Sequence, residues 1–138
     1  MADTGRANGP ALVVLIVDAA AALGFGITYS GLLGYLLVTA DDAEFAVTYP
    51  TGTQAAIILF CLTVAIAVVG VAAAIVAVHL YRRTRIGVIG ARALLGVVTL
   101  VTLVAAFTAH AGFDLARSPR WLFLAAVHGA ALASLRGT

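Results

Sequence analysis

Five ionisable side chains stand inside otherwise apolar stretches of this chain: Asp18, His79, Arg92, His110 and His128. A charge at the centre of a membrane helix costs about 2.5–3.5 kcal/mol on insertion scales, so each needs an account. Asp18 has two. Alone, it is the kind of carboxylate that a proton- or cation-coupled efflux carrier uses. Paired with Arg92, it is half of a structural ion pair. Asp18 lies 7 residues into an apolar stretch that begins at Ala11, and Arg92 lies 6 into one that begins at Ile86. At 1.5 Å per residue both are about 10 Å deep, measured from the same side. The expectation is an intramembrane pair of Asp18 and Arg92, with His128 as a candidate third member. Asp18 shares its helical face with Ala22 and Gly26, and Arg92 shares one with Gly96 and Thr99. The competing account is that each charge snorkels to the headgroups.

Three histidines in a membrane chain raise haem and metal chemistry. Bis-His haem needs two imidazoles at one depth on facing helices. The spacing instead puts His79 near one boundary, His110 near the other and His128 within a short stretch. No second histidine or cysteine lies three or four residues from any of them, as a helical metal site built on such ligands requires. No cofactor and no metal are expected. Asp41, Asp42 and Glu44 have no ligand-loop spacing and read as a solvated loop. There is no phosphate-cradling glycine loop and no nucleophile–base–acid order, so a non-enzyme is expected, with no catalytic residues. Cys61, the single cysteine, sits in an apolar run and reads as a small apolar side chain.

The elements that carry these residues follow from composition. The chain has 138 residues, 63% hydrophobic and 10% charged, with a mean hydropathy of +1.12. A soluble domain is about 45–50% apolar and about 25% charged. So few charges cannot solvate a globule of this size, which excludes a water-soluble fold, a disordered tail and a nucleic-acid binder. All eight basic residues are arginine. That usage fits a high-GC genome and, with the composition, a prokaryotic cytoplasmic (plasma) membrane.

Four apolar stretches predict helices over roughly 11–39, 54–81, 86–111 and 119–136, in one membrane domain spanning 1–138. The first three exceed the roughly 20 residues that cross a bilayer. The fourth is marginal, with Ser118 read as its cap and Pro119 as its first helical position. The fold class expected is an all-α four-transmembrane-helix bundle with short loops; three spans plus an interfacial helix is the fallback. Runs such as Leu12 to Val17 do not alternate as a lipid-spanning strand would. The first stretch is too long for the apolar region of a cleaved signal and reads as a retained anchor.

Arginine placement predicts orientation. Arg6, Arg82, Arg83, Arg85 and Arg136 fall on one side, Arg117 and Arg120 on the other, so both termini and the second loop are expected in the cytoplasm. In the outer loop, 40–53, residues 49–52 read as a turn, and Phe45 and Tyr49 are expected as aromatic anchors at the interface.

Lipid tails are as apolar as leucine, so helices associate by close packing between small residues. The first helix offers Gly26, Ser30 and Gly34 at every fourth position. The second alternates steps of four and three through Thr63, Ala67, Gly70, Ala74 and Ala77, and the fourth offers Ala125, Gly129 and Ala133. Gly26, Ser30, Gly34, Gly70, Ala74 and Gly129 are the expected contact residues. These faces exceed what one bundle needs. The function expected is therefore a non-catalytic tetraspan accessory or assembly subunit, contacting the lipid bilayer and either other membrane subunits or itself as a homo-oligomer. The alternative is a small homo-oligomeric transporter or channel using Asp18. No nucleic-acid partner is expected.

Overall fold

Backbone amides in hydrocarbon have no water to bond, so an apolar chain must satisfy them within each segment, and the α-helix does so locally. The computed structural model describes residues 8–39, 53–111 and 118–135, and the regular elements among them are four α-helices. These are α1 (Gly9–Thr39), α2 (Thr53–Tyr81), α3 (Arg85–Ala111) and α4 (Ser118–Ser134). The α1 helix opens with Pro10 in its first turn, where a missing N–H costs nothing, and the Asn8 carbonyl accepts from the Leu12 amide at 3.0 Å. Pro119 occupies the equivalent place in α4.

Three helices are long and apolar enough to cross a membrane: Gly9–Thr39, Gln54–Tyr81 and Arg85–Ala109, with mean hydropathies of 2.2, 2.8 and 2.2. At most 22% of the residues in the most apolar stretch of each are buried. Val13, Ile16, Ile58, Val68, Leu100 and Phe107 are among the large apolar side chains left on the outside. Such a surface suits hydrocarbon rather than water. The α4 helix has 17 residues, about 25 Å, and is short of the roughly 30 Å of a bilayer core.

The chain divides into two compact units, Met1–Val17 with Ala73–Thr138, and Asp18–Ala72. The divisions fall within α1 and α2. In the first unit the core is a cluster rich in alanine and leucine, in which Leu15 and Leu95 are the largest fully buried side chains. Val88, Ala91 and Leu95 follow one another at steps of three and four, so one face of α3 supplies them. Ala131 and Leu135 join from the end of the chain.

In the second unit, α1 and α2 run antiparallel. Positions 22 and 23 of α1 meet Gly70, Gly26 meets Ala67 and Gly34 meets Phe60, so rising numbers in one helix face falling numbers in the other.

Several expected features lie outside the described residues: the loop 40–52 with Asp41, Asp42, Glu44, Phe45 and Tyr49, and Arg6, Arg117 and Arg136. The backbone of His110 belongs to α3, but its side chain is also outside them.

Candidate functional site

Asp18 is half-buried on α1, between exposed Val17 and buried Ala19. Arg92 is exposed on α3, and no described atom lies within 4 Å of where a Cβ on Gly96 would sit. The buried face of α3 is instead the one that holds Ala91 and Leu95, both 0% exposed. Asp18 and Arg92 belong to different units. His128 is 5% exposed, and its Nδ1 lies 2.7 Å from the carbonyl of Leu124, four residues back on α4. A carbonyl can only accept, so Nδ1 carries the proton. Its neighbour Gly129 faces the Thr99 methyl, at 3.8 Å from a built Cβ. Thr99 is seven residues from Arg92, so His128 sits about 10 Å along the axis of α3 from it.

Hydroxyl groups are the other polar resource of such helices, and apart from exposed Thr28 the described helical serine and threonine side chains turn theirs onto their own backbones. Ser30 donates to the Ile27 carbonyl at 3.2 Å, Thr39 to Tyr35 at 2.7 Å and Thr63 to Phe60 at 2.9 Å. Thr99 donates to Leu95 at 2.7 Å, and Thr102 lies within reach of both Val98 and Thr99 at 2.8 and 3.0 Å. Thr108 and Ser134 each donate to the carbonyl three residues back. Each hydroxyl thus satisfies itself at three or four residues' distance, the local bond that helical serine and threonine favour. Among the described residues no buried side-chain nitrogen or oxygen lacks a partner, and no three of His, Cys, Asp and Glu are gathered as a metal would require.

What the helices bring together is small residues. A Cβ on Gly26 would lie 2.6 Å from the Ala67 amide nitrogen and 2.8 Å from its Cα. One on Gly70 would lie 2.9 Å from the Leu23 amide nitrogen and 3.1 Å from the Ala22 Cβ. Real Cβ atoms do not sit so close, so at these two positions glycine is what allows backbone to touch backbone. Gly34 is looser, at 3.3 Å from the ring of Phe60. Ser30 and Ala74 are half-buried. In α4 the inward positions are Ala125, His128 and Ala131, whereas Ala133 is exposed, so that row turns away after Gly129.

No protein-family model, no curated protein and no solved structure matches this chain. What it does rests on its own geometry.

One constellation is absent from the expected contact residues: the turn between α2 and α3. It is three residues long, Arg82 to Thr84, and it is closed by its own hydrogen bonds. The Arg83 amide donates to Leu80 at 3.0 Å and the Thr84 amide to His79 at 3.1 Å, the paired bonds of a Schellman motif. Arg83 takes φ 56°, the left-handed position where glycine is usual. The Thr84 hydroxyl then caps α3, accepting from the Gly87 amide at 3.1 Å and standing 3.1 Å from the His79 carbonyl, to which it can donate. Nδ1 of half-buried His79 is 3.4 Å from the same oxygen. So short a turn forces the first coil of α3 against the last of α2. A Cβ on Gly87 would run into the His79 and Leu80 backbones, 2.6 Å from the His79 carbonyl oxygen alone, and one on Gly90 would lie 2.9 Å from Val76. A sequence signal exists for this: a threonine three residues before a glycine, directly after a short arginine turn.

Proposed function

We propose that the chain is a non-catalytic tetraspan protein of the prokaryotic cytoplasmic membrane, an accessory or assembly subunit that works through helix contacts. In this reading α4 crosses the bilayer as well, with both termini in the cytoplasm. Its length falls about 5 Å short, a mismatch that local thinning absorbs at fractions of a kcal/mol per Å. The observation that carries the proposal is the backbone-to-backbone contact at Gly26 and Gly70, in helices where Ser30, Thr39 and Thr63 spend their hydroxyls on their own carbonyls. Specific recognition in this chain is then a matter of shape, with apolar flanks left for lipid and for a neighbouring helix.

A second reading has Asp18 as the working group of a small homo-oligomeric carrier or channel. The half-burial of a carboxylate on the long apolar α1 favours it. Purification of the full chain from its own membrane in mild detergent separates the two. A stoichiometric larger membrane partner is the outcome expected of a subunit. A self-dimer that cross-links through Asp18→Cys, with Cys61 replaced, would overturn it in favour of the carrier.

A further inference from the structure

Arg82 and Arg83 on the turn between α2 and α3, and Arg85 at the first position of α3, stand exposed within four consecutive positions. The described residues of their unit contain no carboxylate that could neutralise them. Nor is the turn a loose basic tail, for the Schellman bonds and the Thr84 cap hold its backbone in place. Arg83 is kept at φ 56°, where glycine would sit without strain. A sequence that breaks a local rule at one position commonly does so for a function. Just beside the three guanidiniums, Val78, Tyr81 and Ile86 are 50%, 75% and 69% exposed. The hairpin end therefore exposes three guanidiniums and, within four residues of them along the chain, three large apolar or aromatic side chains.

We infer that this turn is a binding site for the headgroup of an anionic phospholipid. The guanidiniums take the phosphate, as planar forks suited to two oxygens at once. Tyr81 lies at the level of the interface, where aromatic rings collect, and Val78 and Ile86 lie along the first segment of the acyl chains. The inference goes beyond the subunit reading and rests only on the membrane character of the helices. A phosphate with two acyl chains matches both halves of the patch, whereas an acidic protein segment matches only the cationic half.

The test uses the full chain in neutral detergent micelles, where sidedness plays no part. Phosphatidylglycerol and phosphatidylcholine are titrated separately, and retained lipid is counted by native mass spectrometry. Phosphatidylglycerol should bind preferentially, and the preference should shrink in high salt. Each of Arg82→Gln, Arg83→Gln and Arg85→Gln should weaken binding about fivefold, and the triple variant on the order of a hundredfold. Replacing all three by lysine keeps the charge and loses the fork, so it should bind weaker than the wild type while still exceeding the glutamine triple. Inorganic phosphate at matched concentration should not displace the lipid. Equal retention of the two lipids would overturn the proposal and leave the patch to an acidic protein segment. Wild-type binding by the lysine triple, or displacement by phosphate alone, would overturn it too.

Discussion

Gly26→Ala adds one methyl group where the second unit has least room. The new Cβ would stand 2.6–2.8 Å from the amide nitrogen, Cα and Cβ of Ala67, and two of those atoms are backbone, which cannot rotate aside. Ordinary contact begins near 3.4 Å, so α1 and α2 must separate by something under 1 Å there. Overpacking of this kind costs about 1–3 kcal/mol. Against it stands the intrinsic gain of alanine over glycine in a helix, about 1 kcal/mol. The gain can be removed by comparison with Gly24→Ala on the same helix, where no described atom lies within 4 Å of the added Cβ. The two variants should therefore differ by about 1–3 kcal/mol, with Gly26→Ala the less stable. Gly34→Ala should fall between them, because its 3.3 Å neighbour is the edge of a phenylalanine ring that can shift. Unfolding by sodium dodecyl sulfate in mixed micelles, followed by circular dichroism, measures the order. Equal midpoints for Gly24→Ala and Gly26→Ala would refute the close approach, and Gly26→Leu would then be tolerated as well.

Four further outcomes are expected. Thr84→Ala removes the cap on Gly87 and the bond to the His79 carbonyl, and should cost about 1 kcal/mol in the same assay. Arg83→Gly relieves a left-handed residue and should raise the midpoint, by an amount worth up to about 1 kcal/mol; a fall in stability would mean the arginine side chain contributes more than its backbone costs. A cysteine at Thr84 should resist an impermeant thiol reagent in whole cells while one at Thr51 reacts, with Cys61 replaced first, and equal labelling would contradict a single orientation. For the pairing expected from sequence, Asp18→Asn and Arg92→Gln should each destabilise and the double variant recover part of the loss. Strictly additive losses would rule it out.

The all-helical organisation and its four helices were legible because the information is redundant: long unbroken apolar runs, proline at helix starts and arginine in the turns all point the same way. Three of those runs are long enough to cross a membrane by length alone, whereas α4 carries no such margin. The faces were less legible. In α4 the periodic row of small residues reads through Ala133, yet the inward stripe goes through His128 and Ala131, because a histidine bonded to its own helix carbonyl is compatible with burial. On α3 a single step round the helix separates exposed Arg92 from fully buried Ala91, and nothing in an apolar composition marks which side turns in. The crowding at Gly87 was hidden for another reason. It arises from the length of the preceding turn rather than from any spacing within α3, so a search along one helix at a time passes over it.

The serine and threonine hydroxyls that bond to carbonyls three or four residues back also bear on how the protein is made. A polar group that needs a neighbouring helix ties insertion to assembly, since the segment is poorly soluble in lipid until its partner arrives. Here Thr63, Thr99 and Thr102 arrive already satisfied. As far as these hydroxyls go, α2 and α3 can enter a bilayer as finished pieces, with pairing a later event in its plane. Errors of pairing at that stage are corrected by separation and renewed encounter, since few polar bonds have to be broken to let go. For a protein with few charges to steer it, reversible encounter between finished helices gives Gly26 and Gly70 time to find the one register in which two backbones fit.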